Sequence, residues 1–167
     1  MLRILAVSAL LGLLLSTTAH ADGLAAPTGD VVLHITGKIS KTNNGDAADF
    51  DMAMLEALAG RTTTTATPWY DTAKTFSGPL GSALLEAVGA AGTTMKVLAL
   101  NDYETEIPLS DFTQYPVILA TKLDGEPMSI RDKGPLFVIY PFDEMPDLNN
   151  ETYYGRSAWQ VKSIEVD

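Results

Sequence analysis

The residues best suited to recognise a small molecule lie together in Thr67-Pro68-Trp69-Tyr70-Asp71, two large aromatics beside a carboxylate on a proline-stiffened turn. An aromatic face stacks on a flat heterocycle while a carboxylate accepts paired N–H donors from an amidine-like edge, so the grouping points to ring recognition. Trp69 equally suits a plain core position and Asp71 a loop cap. A second cluster, Arg131-Asp132-Lys133, sits between two apolar runs, with Asp124-Gly125 and Gly134-Pro135 as the turns around it. Asn101-Asp102-Tyr103 makes a further turn, and Arg156 and Trp159 lie near the C-terminal end.

Several chemistries are excluded or poorly supplied. The chain has no cysteine, so thiol nucleophiles, thiolate metal sites and haem attachment are ruled out, as are disulfides. Only His20 and His34 could supply imidazole, which leaves little for a His-rich metal site or a Ser-His-Asp triad. His34 reads as a half-exposed strand residue. Eleven basic against 21 acidic side chains give a net charge of −10, which repels nucleic acid and anionic lipid and favours a basic protein partner.

The first 21 residues carry Arg3, an apolar run from Ile4 to Leu15, and an A-x-A site at Ala19-His20-Ala21. A bilayer span needs about 20 apolar residues, so the expectation is a secretory signal cleaved after Ala21, without membrane insertion of the product. Residues 22–167 then form one domain.

The elements that must position the candidate residues follow from periodicity. Val31 to Ile39 alternates as a strand, and Lys41 to Asp46 is a loop. Asp49 is expected to cap a short helix ended by Gly60, and Arg61 to Thr67 to form a strand. Leu80, Ala83, Leu84, Ala87 and Val88 mark an amphipathic helix after Pro79, closed by Gly89. Met95 to Leu100 reads as a buried strand and Glu104 to Pro108 as an edge strand. Val117 to Leu123 and Leu136 to Tyr140 are strand-like runs joined through a β-corner. The acidic stretch from Asp143 to Glu151 lacks the ligand spacing and central glycine of an EF-hand and reads as a solvated loop. Tyr153 to Val166 is expected to be a strand. There Trp159 and Val161 have one parity and Ile164 and Val166 the other, so a bulge near Lys162 would turn both pairs inward.

Five motifs occur in an order that resembles the sulfite-oxidase-type molybdopterin-binding fold: Phe76-Ser77-Gly78-Pro79-Leu80 before a leucine helix; Asn101-Asp102-Tyr103 with Ile107-Pro108; Leu123-Asp124-Gly125-Glu126-Pro127-Met128; Gly134-Pro135-Leu136-Phe137-Val138; and Trp159-Gln160-Val161-Lys162-Ser163-Ile164. The resemblance implies a mixed, β-rich α+β domain with a few short helices and a pterin-sized cleft. The sequence departs from that family in lacking the cysteine that ligates molybdenum and an arginine in the strand after the Gly-Pro turn. The segments TTTTATPWYDTAKTF and RDKGPLFVIYPFDEMPDLNN are similar to those of the small exported members that bind a pterin without molybdenum. Those members relay its presence to a membrane-bound diguanylate cyclase/phosphodiesterase of the GGDEF/EAL type.

The resemblance thus implies a periplasmic, non-catalytic pterin sensor in cyclic-di-GMP signalling, with a reduced, molybdenum-free pterin as ligand. A pterin presents a flat bicycle and a guanidine-like edge. Trp69, Tyr70, Tyr103 and Trp159 are then candidate walls, and Asp71, Asp102 and Asp132 candidate partners for that edge. Arg131 and Arg156 would donate to the ring carbonyl or orient a carboxylate, and Thr67 completes the set. Two other readings stand beside this one. A molybdopterin oxidoreductase would hold the phosphate with Arg131, Lys133, Arg156 and Lys162, and a structural interaction protein would have an empty groove.

Overall fold

The structure, a computed structural model, describes residues 23–167; the expected signal segment and its cleavage site lie outside the described residues. Among the described residues, eleven short strands and four short α-helices follow one another in a mixed, sheet-rich α+β arrangement. Strands β1 (Val31–Gly37), β2 (Ala48–Asp51), β5 (Thr94–Ala99), β6 (Glu104–Pro108) and β11 (Val161–Val166) form a five-stranded sheet in the order β2-β1-β11-β5-β6. Within it only β1 and β11 run parallel. Strands β3 (Gly60–Thr65), β4 (Lys74–Pro79), β8 (Lys122–Leu123) and β9 (Glu126–Pro127) form a second sheet, and β7 (Ile118–Ala120) pairs with β10 (Phe137–Ile139) in a third.

The larger core lies against the five-stranded sheet and gathers Leu33, Phe50, Leu84, Met95, Val138 and Tyr140. A smaller core of Phe76, Ile118, Met128, Phe137 and Ile139 lies beside it, and Trp69 packs on both. The two cores are divided by alternation along β10: Phe137 and Ile139 face the smaller core while Val138 faces the larger. Strand β4 crosses β7 closely at Gly78, where a Cβ would fall 2.2 Å from the Leu119 carbonyl oxygen. The glycine of the Phe-Ser-Gly motif is thus required by backbone approach rather than by a turn.

Helix α2 (Gly81–Val88) buries Leu84, Leu85 and Val88 and ends on Gly89 in the left-handed region, at φ 60°, as the spacing predicts. The expected bulge is also present. The register of β11 against β5 shifts between Val161 and Ser163, and Val161, Ile164 and Val166 are all buried.

Other expectations are corrected. Helix α1 (Met52–Ala57) is capped by Asp51, whose carboxylate accepts from the Met54 amide; Asp49 instead belongs to β2 and holds His34 and Asn44. Gly60 does not end this helix, which stops at Ala57 with Leu58 as its C-cap, but begins β3. Strand β4 and helix α3 (Leu109–Gln114) were not foreseen. The run from Val117 to Leu123 divides between two sheets, because Thr121 leaves the ladder to donate to the Ser77 carbonyl. The C-terminal strand starts only at Val161. Tyr153 to Arg156 belong to helix α4 (Glu151–Arg156), which starts where the Asn150 side chain accepts from the Thr152 amide.

Candidate functional site

Where the two cores meet, Trp69 lies 5.4 Å from Phe137, 5.6 Å from Trp159 and 6.1 Å from Tyr154, measured between ring centroids. These edge and tilted contacts fix the Trp69 ring without covering it. Beside it opens a cavity of about 180 Å³, lined by Trp69, Asn101, Tyr103, Tyr154, Ser157 and Trp159. Each wall comes from a different element. The 66–73 loop supplies Trp69, the β5–β6 turn Asn101 and Tyr103, α4 Tyr154, and the α4–β11 connection Ser157 and Trp159.

The hydroxyl groups of the lining share one chemical bias. The Tyr103 hydroxyl donates to the Gly155 carbonyl at 2.8 Å, Ser157 Oγ donates to the Tyr153 carbonyl at 2.8 Å, and the Tyr154 hydroxyl donates to Asn149 Oδ1. All three have spent their proton and keep lone pairs to accept with. Asn101 Oδ1 accepts from the Tyr103 amide at 3.2 Å, and its NH₂ has no protein partner among the described residues. The side chains that line the cavity therefore offer several hydroxyl acceptors, one amide donor, the indole N–H groups of Trp69 and Trp159, and no charge.

Of the ten candidate residues, Trp69, Tyr103 and Trp159 line this cavity and seven do not. Arg156 turns inward, donating to Asp111 Oδ2 at 2.9 Å with its guanidinium over the Tyr153 ring. Asp111 is buried and also accepts from the Tyr140 hydroxyl at 2.8 Å. Burial and this neighbouring carboxylate raise the Tyr140 pKa strongly. Asp102, at φ 62°, is ion-paired to Lys162 at 3.0 Å. Asp71 and Arg131 are exposed, and Asp132 accepts from Ser129 Oγ at 2.7 Å. Thr67 Oγ1 and the Tyr70 hydroxyl are buried with no protein partner among the described residues. The Tyr70 pKa is raised, by burial first and then by the negative charges of Asp132 and Asp124.

Lys133 approaches the cavity wall indirectly. Its ammonium lies 4.8 Å from the Trp159 ring centroid and 5.7 Å from that of Tyr70, and its carbonyl accepts from the Gln160 amide. Stacked on Trp159 in this way, it holds that ring in place. The four cations of the phosphate-holding reading do not converge, since Arg156 and Lys162 are committed to carboxylates and none of the four lines the cavity. A cysteine-ligated molybdenum does not fit either, because the chain has no thiolate to offer.

Asn101, Tyr154 and Ser157 were not among the expected site residues. Tyr154 was hidden by reading its segment as a strand, although Asn150 followed by Glu151 is a helix-start signal. A shallower groove of about 390 Å³, bordered by Arg61, Ser77, Gly78 and Lys122, is larger but has no aromatic wall.

No family model and no curated protein sequence matches the chain. Among solved structures it is similar to the sulfane dehydrogenase SoxCD from Paracoccus pantotrophus, at 16% sequence identity and a TM-score of 0.60. The likeness covers 80% of this chain and 37% of that one, so the present chain spans well under half the length of its neighbour. At such identity the likeness shows the fold alone, and the fold is the sulfite-oxidase-like α+β domain that the five motifs imply.

Proposed function

We propose that this protein is a non-catalytic, periplasmic pterin-binding protein that relays pterin availability to a membrane-bound diguanylate cyclase/phosphodiesterase. The observation that carries the ligand is the uncharged aromatic cavity with spare hydroxyl acceptors, one free amide donor and two indole N–H groups in its lining. An aminopyrimidinone edge is rich in N–H donors and has one carbonyl, which is the complementary pattern. Pockets for drug-sized ligands run from about 300 to 1,000 Å³. The 180 Å³ here suits a two-ring heterocycle better than a phosphorylated tricyclic molybdopterin. No nucleophile and base sit together in the cavity lining, which supports binding rather than turnover. The relay rests on the likeness of the segments around Trp69 and Asp132 to those of the exported pterin sensors.

Titration with tetrahydrobiopterin under anaerobic conditions, followed by quenching of Trp69 and Trp159 fluorescence, tests the ligand. Saturable binding is expected, weakened about tenfold by Tyr154→Ala through the loss of one stacking wall. Undiminished binding in Tyr154→Ala, or none in the parent protein, would contradict the site.

A further inference from the structure

We propose that the open end of the five-stranded sheet is a docking groove for a basic protein surface that presents an aliphatic side chain. Val31, Leu100 and Ile130 are three of the four large hydrophobic residues left exposed among the described residues, at 48%, 43% and 59% of their surface. All three line one groove of about 380 Å³, whose floor is Val32, Val161 and Pro135. Such side chains are individually ordinary, but three converging on one concave strip mark an interaction surface. At His34 this groove meets a second one of about 260 Å³ that carries Glu104 and Glu165. Neither glutamate is ion-paired among the described residues, and against the two of them this groove holds one lysine, Lys96, across from Glu165 in the register of β11 and β5, so the flank of the apolar strip is net negative. A second copy of this chain, itself at net charge −10, would be repelled there; a partner with Lys or Arg beside its apolar contact would be attracted.

The groove and the ligand cavity have no lining residue in common, but neighbouring residues of the same two segments line them. Leu100 faces the groove while its neighbours Asn101 and Tyr103 line the cavity, and Asp102 between them holds Lys162, which also borders the groove. On the other side Gln160, next to the cavity residue Trp159, donates to the Ile130 carbonyl at 2.7 Å. Ordering of these two segments by a ligand would order the groove. This coupling rests on the proposed pterin reading, whereas the groove itself does not.

The test is a photo-crosslinking residue at position 130 in the producing cells, with the adduct identified by peptide mass spectrometry. The expected result is an adduct to another protein, at a segment with aliphatic residues flanked by Lys or Arg. Its yield should fall about tenfold in Leu100→Asp and in the double variant Glu104→Lys, Glu165→Lys, each with an unchanged melting temperature. An adduct to a second copy of this chain, an equal yield from a probe at the exposed Glu126, or no adduct would overturn the groove. Tetrahydrobiopterin binding by the same variants keeps the two claims apart. Adduct without pterin binding leaves the groove standing and removes the ligand reading, and pterin binding without adduct does the reverse.

Discussion

Trp69 has both of the roles its sequence context allows. It packs on the two cores and also forms a wall of the cavity, so the platform and core readings describe one ring. Trp69→Ala should therefore abolish pterin binding and also cost about 3 kcal/mol of stability. Urea unfolding checks the second part, and a variant as stable as the parent would place the ring outside the cores. Asp51 shows how a single carboxylate sets a pH dependence. Amides of Met54, Gly29 and Thr28 donate to it and hold its pKa below the usual value. A depressed folded-state pKa gives stability that is present above the unfolded value of about 3.9 and is lost as pH falls through the lower folded value. Asp51→Asn should melt lower at neutral pH and lose less on acidification; parallel melting curves for the two proteins between pH 6 and about pH 3 would contradict this assignment. Tyr140 has the opposite sign, because its raised pKa favours the protonated phenol in the fold. Its contribution is complete below about pH 10 and fades above it, so Tyr140→Phe should flatten the alkaline fall in stability.

At the scale of elements, helix α4 depends on the contact between Arg156 and Asp111, since this ion pair joins it to α3 and to the Tyr140 hydroxyl. Arg156→Met would leave a buried carboxylate without its cation and should cost about 3 kcal/mol, with much less lost in an Asp111→Asn background. Equal losses in both backgrounds would mean that the pair contributes nothing. Gly78→Ala should cost about 2–3 kcal/mol by pushing β4 off the Leu119 carbonyl, a loss that chemical denaturation would register. How much of this was legible depended on the range of the interaction. The parity change from Val161 to Ile164 disclosed the β11 bulge, and the leucine spacing with Gly89 disclosed α2, because both are local patterns. Strand β4 was concealed because its Lys-Thr-Phe-Ser-Gly-Pro sequence is a strand only between β3 and β8. Helix α4 was concealed by its tyrosines, which favour strands until Asn150 caps the turn. Arg156 and Asp102 were candidates by type, but sequence does not show that Asp111 and Lys162, 45 and 60 residues away, already satisfy them.

For the whole molecule, a sheet-rich domain without disulfides holds a small neutral cavity at the junction of its two cores. Among the described residues no helix is long and apolar enough to cross a membrane. Its negative charge bears on association rather than on the ligand. Raising the salt concentration should slow docking of the proposed basic partner while leaving pterin affinity unchanged, as rate and equilibrium measurements on the same sample would show. Whether the aromatic cavity holds a molybdenum-free pterin can be read from protein isolated from its own host without exposure to oxidants. The sample is denatured, and the released small molecules are identified by fluorescence and mass, with elemental analysis for molybdenum. One unphosphorylated pterin per chain and no molybdenum are expected. Stoichiometric molybdenum, a phosphorylated pterin, or the release of nothing would contradict the pterin reading.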